Sequence, residues 1–102
     1  MKIYFATTKL EKILTNERLL RKRYGNLTNK IMARLTDLRT ADNLKEITHL
    51  PPPRRHKLSG YKNIFAVDVS GNYRIIFSSI DENIIELEEI DEIVILDIVD
   101  YH

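Results

Sequence analysis

Three places in the chain hold residue types that could do chemistry. The first is Arg54-Arg55-His56-Lys57-Leu58-Ser59-Gly60, directly after three prolines. The second is Arg74 within Tyr73-Arg74-Ile75-Ile76-Phe77, the one Lys or Arg after residue 62. The third is Asp100-Tyr101-His102, which follows a strongly apolar run. Together they offer what metal-free cleavage of a ribonucleotide chain requires. A base must take the proton of a ribose 2′-hydroxyl, a cation must hold the charge that builds on the attacked phosphate, and an acid must protonate the leaving 5′-oxygen. Histidine changes charge near neutrality and suits the two proton-transfer roles. Arginine suits the phosphate because its planar fork can hold two oxygens at once.

A plainer role is open to each. Arg74 could only balance the acids of the last strands. His56 could be an ordinary exposed histidine of a basic loop. Asp100-Tyr101-His102 could fray, as termini often do, although it continues an apolar strand with no polar spacer. His49 reads as structural or solvent-exposed. Tyr61 could stack on a base or simply lie on the surface.

Composition narrows the setting. At 102 residues the chain fits one domain, residues 1–102, with room for a single core. The absence of cysteine excludes disulfides, thiolate zinc sites and thiol nucleophiles. No apolar run approaches the ~20 residues that span a bilayer, and residues 1–6 lack a signal-peptide layout, so the expected location is cytoplasmic, away from membranes. Charge is divided unevenly. Residues 1–62 carry 15 of the 16 Lys/Arg and 5 of the 15 Asp/Glu, or +10, and residues 63–102 carry −9. Such a split suits a polyanion partner for the basic part. On charge alone, the solvated faces of two basic helices are the slightly better explanation.

The elements that must position these residues follow from periodicity. Lys2 to Ala6 alternates and is β-rich, which predicts a first strand. Thr8 and Glu11 have capping-box spacing, and Leu10, Ile13, Leu14, Leu20 and Tyr24 then predict one helix that ends at Gly25. Ile31, Leu35 and Leu38 predict a second helix from about Asn26 to Thr40, with a further short turn within Ala41 to Ile47. The pair reads as a helical hairpin. Pro51, Pro52 and Pro53 predict an extended break. Asn63 to Val69 and Tyr73 to Ser79, joined by Ser70-Gly71-Asn72, predict a β-hairpin. Ile80 to Asp91 is acidic and irregular. Ile93 to Val99 predicts a buried strand. The order β-α-α-β-β-β makes an α+β fold, a small antiparallel-rich sheet packed by an N-terminal helical hairpin.

With these elements in place the chain resembles a known group. His56-Lys57-Leu58-Ser59-Gly60, Phe65-Ala66-Val67-Asp68-Val69, Tyr73-Arg74-Ile75-Ile76-Phe77 and the final Ile95-Leu96-Asp97-Ile98-Val99-Asp100-Tyr101-His102 look like the plasmid-maintenance killer proteins of the HigB group, within the RelE/ParE toxin superfamily. The terminal Asp-Tyr-His after an apolar strand is the most specific element. The resemblance implies a RelE-like sheet with its groove on the exposed face and ribosome-dependent cleavage of mRNA without metal or cofactor. It also implies a HigA-like helix-turn-helix antitoxin as partner, through which alone operator DNA would be touched. By this resemblance His56 matches the family's loop histidine, Arg74 its strand arginine, and Asp100, Tyr101 and His102 its catalytic terminus. His102 or Asp100 would act as base and His56 as acid, or the reverse, with Tyr101 positioning substrate. Arg54, Arg55, Lys57 and Lys62, with Arg21, Lys22, Arg23, Lys30 and Arg34 on the helices, would hold RNA. Phe65 stands where the family often has tryptophan, and Lys57 and Ser59 depart from its usual loop. Two other readings compete: a ParE-like toxin that binds a topoisomerase without catalysis, and a decayed module that only binds its antitoxin.

Overall fold

The computed structural model describes residues 1–100; Tyr101 and His102 lie outside them. Five strands form one sheet in the order β1-β5-β4-β3-β2. They are β1 (Lys2–Phe5), β2 (His56–Lys57), β3 (Ile64–Asp68), β4 (Tyr73–Ser79) and β5 (Glu92–Asp100). Three helices, α1 (Thr8–Leu14), α2 (Glu17–Tyr24) and α3 (Thr28–Thr40), lie between the first two strands. The α+β expectation holds. The sheet is mixed, not a pure antiparallel meander, because β1 pairs with β5 in parallel, Lys2 opposite Glu92 through Phe5 opposite Ile95.

The expected first helix is two. The apolar period runs through unbroken, but local hydrogen bonds stop the helix at Thr15. The Thr15 hydroxyl donates to the Glu11 carbonyl at 2.6 Å. Asn16 is extended and accepts the Leu19 N–H at 3.2 Å, capping a new helix. The start of α1 also shifts by one residue. Thr7, not Thr8, is the cap, accepting from the Leu10 N–H at 3.0 Å. Gly25 closes α2 at φ +57, as expected of a glycine stop. A 3₁₀ turn, Gly25–Leu27, leads into α3, and a second, Leu44–Glu46, answers to the short turn expected there.

Alternation along the strands separates two faces of the sheet. Phe65 and Val67 of β3, Ile75 and Phe77 of β4, and Ile93, Ile95 and Ile98 of β5 are buried with Ile31, Leu35 and Leu38 of α3. These three helical residues sit at i, i+4 and i+7, so one stripe faces the sheet. Phe65 stacks on Phe77 with centroids 6.0 Å apart. The opposite face carries Ile64, Asp68, Arg74, Ile76, Ser78 and Val94, all half-buried.

The prolines are a turn, not an extended break. The Arg54 N–H donates to the Leu50 carbonyl at 3.0 Å, closing the chain around them. This turn delivers β2, a two-residue strand too short for alternation to announce, onto the edge of β3 with His56 opposite Ala66.

Candidate active site on the open face of the sheet

Three strands and the loop before β2 bring four side chains together at one end of the open face. Arg74 is directly opposite Asp68 in the β3–β4 ladder. His56 is opposite Ala66, two residues along β3 from Asp68 and on the same face. Arg54 approaches from the loop before β2. Its Nη2 donates to Asp68 Oδ1 at 3.0 Å, and its Nε donates to Oδ2. This is the side-on fork that suits arginine and carboxylate. Arg74 Nε lies 3.6 Å from Asp68 Oδ1, so one carboxylate stands between two guanidiniums.

His56 is fixed at both ring nitrogens. Nδ1 lies 2.8 Å from the Arg54 carbonyl oxygen, which can only accept, so Nδ1 carries a proton. In the neutral ring the lone pair is then on Nε2, and Nε2 faces Arg74 Nη1 at 3.4 Å. Arg74 can only donate, so that lone pair accepts its Nη1–H, and a substrate hydroxyl must take the place of Arg74 there before His56 can accept its proton. The adjacent guanidinium supplies the positive charge that a phosphate would need.

Arg54 adopts φ +54, a region where residues with a Cβ are strained by about 1–3 kcal/mol. Two interactions offset that strain. One is the fork to Asp68. The other is the Asp68 N–H, which donates to the Pro53 carbonyl at 2.8 Å. The hydrogen bond to Asp68 raises the Arg54 pKa above its ordinary value, outweighing the opposite effect of burial.

The remaining expected site residues divide. Arg55 turns inward, its Nε donating to the Ile47 carbonyl at 2.7 Å, and desolvation lowers its pKa. Arg34 lies along α3 against Asp37 at 3.1 Å, with its side chain 16% exposed. Both are placed as structural ties of the loop and the helix. Arg21, Lys22, Arg23, Lys30, Lys57 and Lys62 are exposed, and Arg21 shares its charge with Glu17 at 3.9 Å. Asp100 is opposite Tyr73, one residue beyond the pair of Val99 with Arg74. By alternation it belongs to the side of Tyr73, whose ring meets Tyr24 of α2 edge-on at 6.5 Å, and not to the side of His56 and Arg74. The expected roles of Tyr101 and His102 lie outside the described residues. His49 is exposed, and Tyr61 is 60% exposed.

Asp68 is the residue that sequence reasoning missed. It stands at an outward position of an alternating strand, where a charge is unremarkable. Its meaning appears only once register sets it against Arg74 and the proline turn brings in Arg54.

Farther along the same face, Lys62, Ile64, Ser78, Ile80, Val94 and Leu96 line a groove of about 700 Å³. No group of His, Asp or Glu among the described residues is arranged to hold a metal ion. Among them, too, no helix is long and apolar enough to cross a membrane. The chain matches no protein-family model, and no curated protein matches it either.

Proposed function

We propose that this protein is a toxin of the HigB/RelE type, an endoribonuclease that cuts mRNA on the ribosome without metal and is neutralised by a HigA-like antitoxin. The observation that carries the reading is the His56–Arg74 pair, with Nε2 and Nη1 3.4 Å apart on an open sheet face. The resemblance of the chain from His56 onward supports it, as does the basic surface of α2 and the loop before β3.

The reaction is a transfer within one nucleotide step. The 2′-oxygen attacks the adjacent phosphorus and loses its proton. The bond from phosphorus to the 5′-oxygen breaks, and that oxygen gains a proton. The products are a 2′,3′-cyclic phosphate and a 5′-hydroxyl. The tautomer of His56 leaves its lone pair at Nε2, which favours His56 as the base once Arg74 turns its N–H from that nitrogen to the phosphate. The acid is then His102, the exchange of roles that the terminal motif allows. Arg74 holds the phosphate oxygens as charge gathers on them. Lys57 and Lys62, with Arg21, Lys22, Arg23 and Lys30, attract the ribosomal RNA backbone, and binding weakens as salt rises.

The test is expression of wild type and of an Arg74→Ala, His102→Ala variant without antitoxin, with mRNA 5′ ends mapped. Wild type should arrest growth and produce new 5′-hydroxyl ends inside codons, only on translated messages. The variant should do neither. Arrest with intact mRNA would overturn the reading and direct attention to topoisomerase assays.

A further inference from the structure

We propose that Asp68 is a positioning residue that presets both halves of the proposed catalytic pair. The inference rests on the ribonuclease reading for its kinetic consequences, but not for its structural ones. Asp68 reaches Arg74 directly, at 3.6 Å from Nε. It reaches His56 through Arg54. Its carboxylate grips the Arg54 guanidinium, its N–H holds the Pro53 carbonyl at 2.8 Å, and the Arg54 carbonyl fixes His56 Nδ1 at 2.8 Å. The Arg54 backbone is held at φ +54, a conformation that relaxes when its restraints are removed. The Asp68 carboxylate therefore aims the Arg74 guanidinium and, through the Arg54 side chain and together with its own backbone N–H, holds the loop whose Arg54 carbonyl selects the histidine tautomer.

Charge gives this role a signature that simple damage to the fold would not have. Among the described residues, Arg54, Arg74 and Asp68 together carry a net +1. Asp68→Asn raises it to +2 while loosening both side chains. Attraction for a phosphate chain should rise as alignment falls, so binding and turnover move in opposite directions. Arg54→Gln breaks the same path to His56 but removes a positive charge. Its turnover should fall in the same way while binding weakens.

Two readouts test this on the whole protein. The first is the ring-nitrogen NMR spectrum of His56, labelled with ¹⁵N and assigned with His56→Gln. Wild type should show a proton on Nδ1 and none on Nε2 in the neutral ring. Asp68→Asn and Arg54→Gln should both shift towards a mixture of tautomers, with Asp68→Glu closer to wild type. The second is mRNA cleavage in a translating extract over a range of ribosome concentration. Asp68→Asn should lose about tenfold to a hundredfold in kcat, the scale of a misaligned reacting group, with KM unchanged or lower. Unchanged ring spectra in folded Asp68→Asn protein would overturn the inference. So would a change confined to KM. If wild type cuts no mRNA, the ribonuclease reading fails, and the ring spectra still decide whether Asp68 orients His56.

Discussion

The two faces of the sheet are made by the same strands, yet they obey different rules. On β4, Ile75 and Phe77 point to the helices and are completely buried, while Arg74 and Ile76, which alternate with them, are half-buried on the other side. The inner face is held by apolar contact and tolerates no polar group that lacks a partner. The open face keeps three charged side chains and a histidine within one cluster, two guanidiniums sharing the carboxylate of Asp68. Stability thus belongs chiefly to one face, and the proposed chemistry to the other. An alternation of two residues is enough to separate them.

Substitutions on each face should sharpen this division. The largest effect expected on stability is on the inner face. Phe77→Ala removes a fully buried ring and should cost about 3–5 kcal/mol, read as a fall in the denaturant midpoint. Next is Asn63, which is 3% exposed and donates to the Glu82 and Ile84 carbonyls at 2.7 and 2.8 Å. Asn63→Ala leaves both carbonyls without that donor and places alanine at a positive φ, so about 2–3 kcal/mol should be lost. Faster amide exchange across residues 80–86 should accompany it. Asn16→Ala removes the cap of α2 and should cost about 1 kcal/mol by chemical denaturation. Arg74→Ala should break the pattern. Its ion pair is partly solvated, so stability should change by no more than about 1 kcal/mol. Cleavage should nevertheless fall by about a hundredfold or more, as when a group that holds transition-state charge is removed. The double variant Lys57→Ala, Lys62→Ala should change stability least, by less than about 0.5 kcal/mol, because both side chains are exposed. It should also flatten the dependence of ribosome binding on salt.

The contrast between faces also explains what the sequence made legible. β3 alternates, β4 returns from the turn at Ser70-Gly71-Asn72, and β5 is a dense run of apolar, β-branched residues, so those strands and the α3 stripe can be read directly. His56 and Arg74 were legible as types suited to one reaction. Their meeting was not, since it depends on β2, which is two residues long. The proline run misled for a related reason. Three prolines restrict the backbone without dictating whether the chain turns, and the bond from Arg54 to Leu50 decides it. The break at Thr15–Asn16 was hidden because the leucine period continues across it. The parallel pairing of β1 with β5 joins strands nearly the whole chain apart and has no local signal. Asp68 belongs with these: its role comes from register and from a distant loop, not from its own neighbours in sequence.

The central claim is that a ribose 2′-hydroxyl, deprotonated beside Arg74, attacks the neighbouring phosphate. It is tested most directly with two messages translated in extract with wild-type protein. One is entirely ribose, and the other has a single 2′-deoxynucleotide on the 5′ side of a mapped cut. The account predicts that the first is cut there, leaving a 2′,3′-cyclic phosphate, and that the second is spared at that position alone. An all-ribose message left intact, or equal cutting of both, would contradict it.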